Sequence, residues 1–114
     1  MSFYESYQQT VFFQFPELTA PGVTEIVDVY TINYLSTRNY SLAVTVTNID
    51  TSVVVRLEGS IDGTSYSPLI SNTITENGNY IYNILGSPVK KIRANFLKET
   101  GGTNAIVQFD VAAN

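Results

Sequence analysis

Residues 42–66 read LAVTVTNIDTSVVVRLEGSIDGTSY, and this stretch decides the fold class. Apolar and polar side chains alternate over residues 42–47, which places Leu42, Val44 and Val46 on one face of an extended chain. A period of two is typical of a half-buried β-strand, whereas a surface helix repeats every 3.6 residues. The stretch therefore predicts an all-β protein.

The second half of this stretch predicts a strand followed by a tight reversal. Residues 53–58 read VVVRLE and are mostly apolar, and Asp62-Gly63 follows them closely. This dipeptide favours a tight hairpin turn because it tolerates positive φ. We expect residues 64–69 to return as the next strand, with Tyr66 covering the hairpin.

The same alternation continues on both sides of this stretch. Further strands are predicted at residues 11–15, 26–31, 80–84, 89–96 and 105–111. Short strands separated by turn residues are typical of a sandwich or jelly roll. We predict a two-sheet antiparallel β-sandwich of seven to eight strands, jelly-roll or Ig-like. Residues 10–114 would form this single domain, and residues 1–9 an N-terminal arm.

Composition narrows the possible chemistry. The 114 residues include no cysteine and no histidine, which excludes disulfides, thiolate nucleophiles and imidazole-based catalysis. The formal net charge of −4 disfavours nucleic-acid binding, because phosphates are negative as well. No apolar run approaches the ~18 residues of a membrane span. We expect a protein that is not an enzyme and that has no nucleic-acid or membrane partner.

Carboxylates are the remaining candidates for catalysis or metal binding. Nothing in the sequence places two of the ten across a cleft, as a glycosidase requires. Asn48, Asp50, Glu58 and Asp62 bracket one hairpin and offer oxygen ligands for Ca²⁺, but turn chemistry explains most of them equally well. We predict no metal and no cofactor.

Two groups of residues are candidates for docking on a partner. The first is aromatic and lies in the arm and the first strand: Phe3, Tyr4, Tyr7 and Phe12. An arm of this kind either frays or orders on a neighbouring subunit. The second group is Lys91 and Arg93, which share one face of a predicted strand. These two charges fit a solvated face, protection of a sheet edge, or pairing with an acidic neighbour in an assembly.

Tyrosines suggest a different type of function. Exposed aromatic rings stack on sugars and are enriched at interfaces. The candidates for a carbohydrate or surface ligand are Tyr34, Tyr40, Tyr66 and Tyr80. The chain has no tryptophan, and core packing explains many tyrosines in a β-protein equally well.

The hairpin of residues 44–66 resembles one found in small β-sandwich proteins of bacteriophage virions, of the capsid decoration or cement type, and in related bacterial surface proteins. The shared pattern is a strand, the turn TNID, a second strand, and EGSIDGT followed by an aromatic residue. Similar hairpins occur in discoidin-like ligand-binding modules, where tryptophan is common at the position of Tyr66.

The virion resemblance implies a non-enzymatic structural protein. Such a protein would decorate or cement a capsid, or serve as a small head or tail accessory protein. Its partner would be the major capsid protein or another virion protein, and it would form a homo-oligomer, with a trimer suiting a capsid threefold position. Its location would be the virion, assembled in the host cytoplasm. The alternative is a carbohydrate- or surface-ligand-binding sandwich module.

Overall fold

A computed structural model describes residues 10–30 and 39–114, which form two antiparallel β-sheets. No helix within these two ranges is long and apolar enough to cross a membrane. The strands are β1 (Val11–Gln14), β2 (Gly22–Val23), β3 (Val27–Asp28), β4 (Tyr40–Thr47), β5 (Ser52–Ser60), β6 (Ser67–Ile74), β7 (Gly78–Ile84), β8 (Lys91–Thr100) and β9 (Ile106–Ala113).

The strand order is that of a jelly roll. One sheet has the order β1-β9-β4-β7 and the other β2-β8-β5-β6, with β3 also pairing with β8. The short strands β2 and β3 share one position beside β8. The nine strands therefore occupy eight positions, four in each sheet. Two packed sheets joined in this way define the jelly roll. The prediction of a two-sheet antiparallel sandwich is confirmed, and the Ig-like alternative is replaced by the jelly roll.

The core lies between the two sheets and follows the predicted alternation. Leu42, Val44 and Val46 on β4 are fully buried, and Val53 and Leu57 on β5 are buried on the facing sheet. Apolar groups of this kind supply the main stabilisation of the fold, at roughly 25 cal/mol per Å² removed from water. The alternate residues of each strand form the two outer faces of the sandwich.

The reversal after β5 is longer than predicted. The return strand begins at Ser67 and not at Thr64, because the backbone N–H groups of Thr64 and Ser65 donate to the Asp62 carboxylate. These donors are therefore unavailable to a strand ladder. Gly63 has a φ of +88°, which confirms the expected left-handed turn residue.

Asp62 makes this loop sensitive to pH. Its Oδ1 accepts hydrogen bonds from Ser65 N (2.7 Å), Thr64 N (2.8 Å) and Ser60 Oγ (2.9 Å). These bonds, above all the one from Ser65, hold the pKa of Asp62 well below its ordinary value. A carboxylate with a lowered pKa adds stability above its unfolded pKa of about 3.9, and this contribution is lost as the pH falls through the folded pKa.

We expect Asp62→Asn to lower the free energy of unfolding at pH 7, with a difference from wild type that shrinks below about pH 4. Urea denaturation at pH 7 and at pH 2.5 would measure this. Glu17→Gln, which removes one exposed carboxylate elsewhere, is the matched control. An equal Asp62→Asn effect at both pH values would contradict the prediction.

Candidate functional site

The outer face of the four-stranded sheet carries an apolar groove. Phe12 on the edge strand β1 is 77% exposed, and Ile81 on the opposite edge strand β7 is 69% exposed. Small side chains lie between them: Ser41 and Ala43 on β4, and Ala112 on β9. Two bulky walls and a floor of small residues enclose a groove of about 480 Å³.

Strand register explains why these residues share the groove. Phe12 pairs with Ala112, which pairs with Ser41, so these three form one row across the sheet. In the next row, Asp110 pairs with Ala43, which pairs with Ile81. Neighbouring rows on the same face lie side by side because side chains alternate between faces.

One carboxylate lies among these apolar residues. Asp110 is half-buried in the lining of the groove, and its Oδ1 lies 3.4 Å from Nε2 of Gln108. The same Gln108 amide also donates to the backbone carbonyl of Phe15. The groove therefore combines apolar walls with a carboxylate at its base and with the polar side chains of Ser41 and Gln14.

The outer face of the five-stranded sheet carries a polar cluster centred on Glu58. Glu58 is only 4% exposed. Its carboxylate accepts from Arg93 Nε at 2.7 Å and from Asn95 Nδ2 at 3.0 Å, and Arg56 Nη1 lies 3.9 Å away. Glu58 therefore pairs with arginines of the same chain, one on its own strand β5 and one on the neighbouring strand β8.

Tyr66 covers the Arg93 side of this cluster, whereas the sequence predicts only that it covers the hairpin of residues 44–66. Its ring lies against the Arg93 guanidinium, 4.3 Å from the ring centroid, which is the geometry of a cation–π contact. The Tyr66 hydroxyl is buried and has no hydrogen-bond partner within residues 10–30 and 39–114. The interpretation of Arg93 as part of a solvated face is therefore wrong, because Tyr66 and Glu58 cover most of its side chain.

The neighbouring basic residues also have partners. Lys91 Nζ lies 3.5 Å from Asp28 Oδ1, and Lys90 Nζ lies 5.4 Å from the centroid of the Tyr30 ring. Strand β8 lies inside its sheet, between β5 and the pair β2 and β3. The interpretation of Lys91 and Arg93 as protection of a sheet edge is therefore wrong.

The structure separates the predicted docking residues. Phe12 lies on the outer face of the four-stranded sheet, whereas Lys91 and Arg93 lie on the outer face of the five-stranded sheet. These faces point in opposite directions, so a single flat partner cannot contact both. The aromatic residues of the arm, Phe3, Tyr4 and Tyr7, lie outside the described residues.

The four tyrosines do not form one aromatic platform. Tyr40 is buried in the core, on the same side of β4 as Leu42, a position that its spacing in the sequence indicates. Tyr80 is half-buried, and its hydroxyl donates to the carbonyl of Glu76 at 2.6 Å. Tyr66 is engaged by Arg93. Tyr34 lies outside the described residues.

Tyr80 and Tyr82 form a stacked pair along β7. Their ring centroids are 6.5 Å apart and their planes differ by 3°. Burial raises the pKa of Tyr82, and Tyr80 raises it further. Both rings pack against the core, so this face of β7 stabilises the fold.

Several carboxylates have structural partners. Glu58 binds Arg93, Asp28 lies close to Lys91, Asp62 accepts from its own loop, and Glu99 accepts from the N–H of Ala105 at 3.0 Å. Among the residues that the structure describes, no group of three acidic side chains is placed to hold a metal ion.

The groove was not predicted from the sequence because Ile81 was not considered as a docking residue. The sequence places Ile81 between Asn79 and Asn83, on the polar side of its strand. An isoleucine on an otherwise polar face was the available signal. Its partner across the groove, Phe12, was identified as a docking residue, but the sequence does not reveal that β1 and β7 are edges of one sheet.

Comparison with known proteins identifies a similar fold. Searches of known protein families and of curated proteins found no match for this chain. Among solved structures, it is similar to a prophage-derived protein. That protein is SPBc2 prophage-derived YomS, with a TM-score of 0.61 and 12% sequence identity over 93% of this chain and 94% of that chain. The Tobacco streak virus coat protein dimer matches with a TM-score of 0.39 and 7% identity, over 92% of this chain and 85% of that chain.

Proposed function

We propose that this protein is a non-enzymatic structural component of a virion, of the capsid decoration or cement type or a small head or tail accessory protein. The observation that carries the proposal is the jelly-roll fold of this chain, which is similar over nearly its whole length to the structure of a prophage-derived protein. Jelly rolls are common in viral capsid proteins.

The exposed surface supports a role in docking. The groove between Phe12 and Ile81 exposes large apolar side chains on a sheet face, which is typical of an interaction site. The sandwich supplies a rigid body for this surface. We propose that the protein is a homo-oligomer, with a trimer favoured, and that symmetry multiplies weak contacts with the major capsid protein or another virion protein.

A jelly roll also serves in lectins, which keeps the carbohydrate-binding module as the second candidate. The tyrosines give it less support, because Tyr40 is buried and Tyr66 and Tyr80 already have partners. A carbohydrate-binding site on this protein would therefore have to use side chains other than these three tyrosines.

A particle-binding experiment tests the proposal. Particles would be purified from the phage that carries the gene and from a mutant that lacks it. We expect mass spectrometry to detect the protein at many copies in the first preparation only. We also expect the recombinant full chain to co-sediment with the mutant particles at a saturating stoichiometry.

The same particle-binding experiment can also contradict the virion role. If the full chain is missing from purified particles and fails to co-sediment with them, the virion role is wrong. A glycan array probed with the same protein then tests the second candidate, for which saturable binding to one glycan class is the supporting result.

A further inference from the structure

We propose that the groove on the outer face of the four-stranded sheet binds the N-terminal arm, residues 1–9, of a second copy of this chain. A second copy of the chain would then be the partner of this surface. This association needs only the purified protein, so it stands or falls separately from the virion role.

The chemistry of the groove matches the arm. Phe12 and Ile81 leave most of their apolar surface in water, and burying it is favourable. The arm contains Phe3, Tyr4 and Tyr7 within a short segment. Aromatic side chains carry a large apolar surface, and a buried tyrosine hydroxyl needs a hydrogen-bond partner.

Asp110 supplies such a partner at the base of the groove. Its carboxylate has lone pairs beyond the single long contact of 3.4 Å with Gln108. A tyrosine that enters between Phe12 and Ile81 would place its ring against the apolar walls and donate its hydroxyl to this carboxylate. The small floor residues Ala43 and Ala112 leave room for the ring.

Chain direction favours the arm of another copy over the molecule's own arm. Strand β1 starts at Val11, which pairs with Ala113 at the end of β9. The groove extends from Phe12 in the direction of Gln14, which is forward along β1. A segment that precedes Thr10 would have to reverse at once to enter its own groove.

The sequence at that point lacks residues that favour a reversal. Residues 7–10 read YQQT and contain no glycine, proline, asparagine or aspartate, which dominate tight turns. Extended, nine residues span up to about 30 Å. Four strands spaced about 4.8 Å apart are narrower than this. The arm is therefore long enough to cross to the groove of a neighbour.

Light scattering coupled to size-exclusion chromatography gives the first test. We expect wild type to elute with a mass above that of the 12.6 kDa chain. The arm variant Phe3→Ser/Tyr4→Ser/Tyr7→Ser and the groove variant Ala43→Arg should both be monomers. Ile61→Ser is the matched control, because Ile61 is 79% exposed and lies outside the groove.

Mixing the two monomeric variants gives the decisive test. The arm variant retains an intact groove, and Ala43→Arg retains an intact arm. We expect an equimolar mixture to form a complex of two chains, which neither variant forms alone. Circular dichroism of each variant verifies that it is folded, and Ile81→Ser, which only trims an exposed wall, is a milder second groove variant.

Three outcomes would overturn the proposal. The first is a mixture that remains monomeric. The second is a wild-type chain that is a monomer at every concentration while the arm variant binds a labelled peptide of residues 1–9, since the arm then occupies its own groove. The third is a loss of association in Ile61→Ser equal to that in Ala43→Arg. None of these outcomes depends on virion particles, so a failure here contradicts the proposed homo-oligomer but leaves the virion role to its own experiment.

Discussion

Replacing Phe109 by alanine is expected to lower the free energy of unfolding by about 4 kcal/mol. Phe109 lies on β9, is fully buried, and pairs with Val44 on β4. Removing its ring loses buried apolar surface and leaves a cavity, because the two sheets cannot collapse fully around the gap. Strand β9 lies inside its sheet, between β1 and β4, and the Phe109 side chain lies in the core between the two sheets.

Phe12→Ala is the matched control, since it makes the same chemical change at a residue that is 77% exposed. We expect its free energy of unfolding to stay within about 0.5 kcal/mol of wild type. Urea denaturation would be followed at a protein concentration where all variants are monomers, because self-association adds to the apparent stability. Equal effects of the two substitutions would contradict the structure.

Replacing Glu58 by alanine is expected to cost about 3 kcal/mol of unfolding free energy. The carboxylate is almost inaccessible to water, and its loss leaves the Arg93 guanidinium and the Asn95 amide without their acceptor under the Tyr66 ring. A charge that loses its partner in a water-poor site keeps its desolvation cost. The loss therefore exceeds that of a surface ion pair.

The control for Glu58 is the exposed ion pair on the same outer face. Asp28→Ala removes a carboxylate that lies 3.5 Å from Lys91 and whose side chain is 54% exposed. We expect it to cost under about 1 kcal/mol. A double-mutant cycle of Glu58 and Arg93 should give a coupling energy above about 1 kcal/mol. A Glu58→Ala variant as stable as Asp28→Ala would contradict the assignment of a buried cluster.

Much of the fold can be predicted from the sequence, because the alternation of apolar and polar residues corresponds to the inner and outer faces of each strand. The alternation at Leu42, Val44 and Val46 predicts the core face of β4, and that of Ile92, Ala94 and Phe96 predicts the core face of β8. The predicted ranges are therefore close to the observed bounds for β4, β5, β7 and β9, whereas the strand predicted at residues 64–69 is displaced from β6. The predicted strand at residues 26–31 overlaps the short strand β3, whereas β2 was not predicted, since two residues are too few to show any period.

Other features depend on contacts between residues that are distant in the sequence. The spacing places Glu58 on an outer face, where a carboxylate is ordinarily solvated, but Arg93 arrives from β8 and Tyr66 from the following loop to cover it. Strand order is equally non-local. The sequence predicts that Phe12 is exposed but not that Ile81 lies on the same face, so the docking surface could be predicted only in part.

The position of β9 between β1 and β4 has a consequence for how the protein is made. Val11 pairs with Ala113, so the pairing of β1 waits until the chain has been synthesised as far as β9. At synthesis rates of about 5–20 residues per second, β1 emerges roughly 5–20 s before its partner. During this interval the facing edges of β1 and β4 are open to pairing with other chains. The four-stranded sheet is therefore completed only once β9 is available, and the aggregation hazard of these two open edges lasts until then.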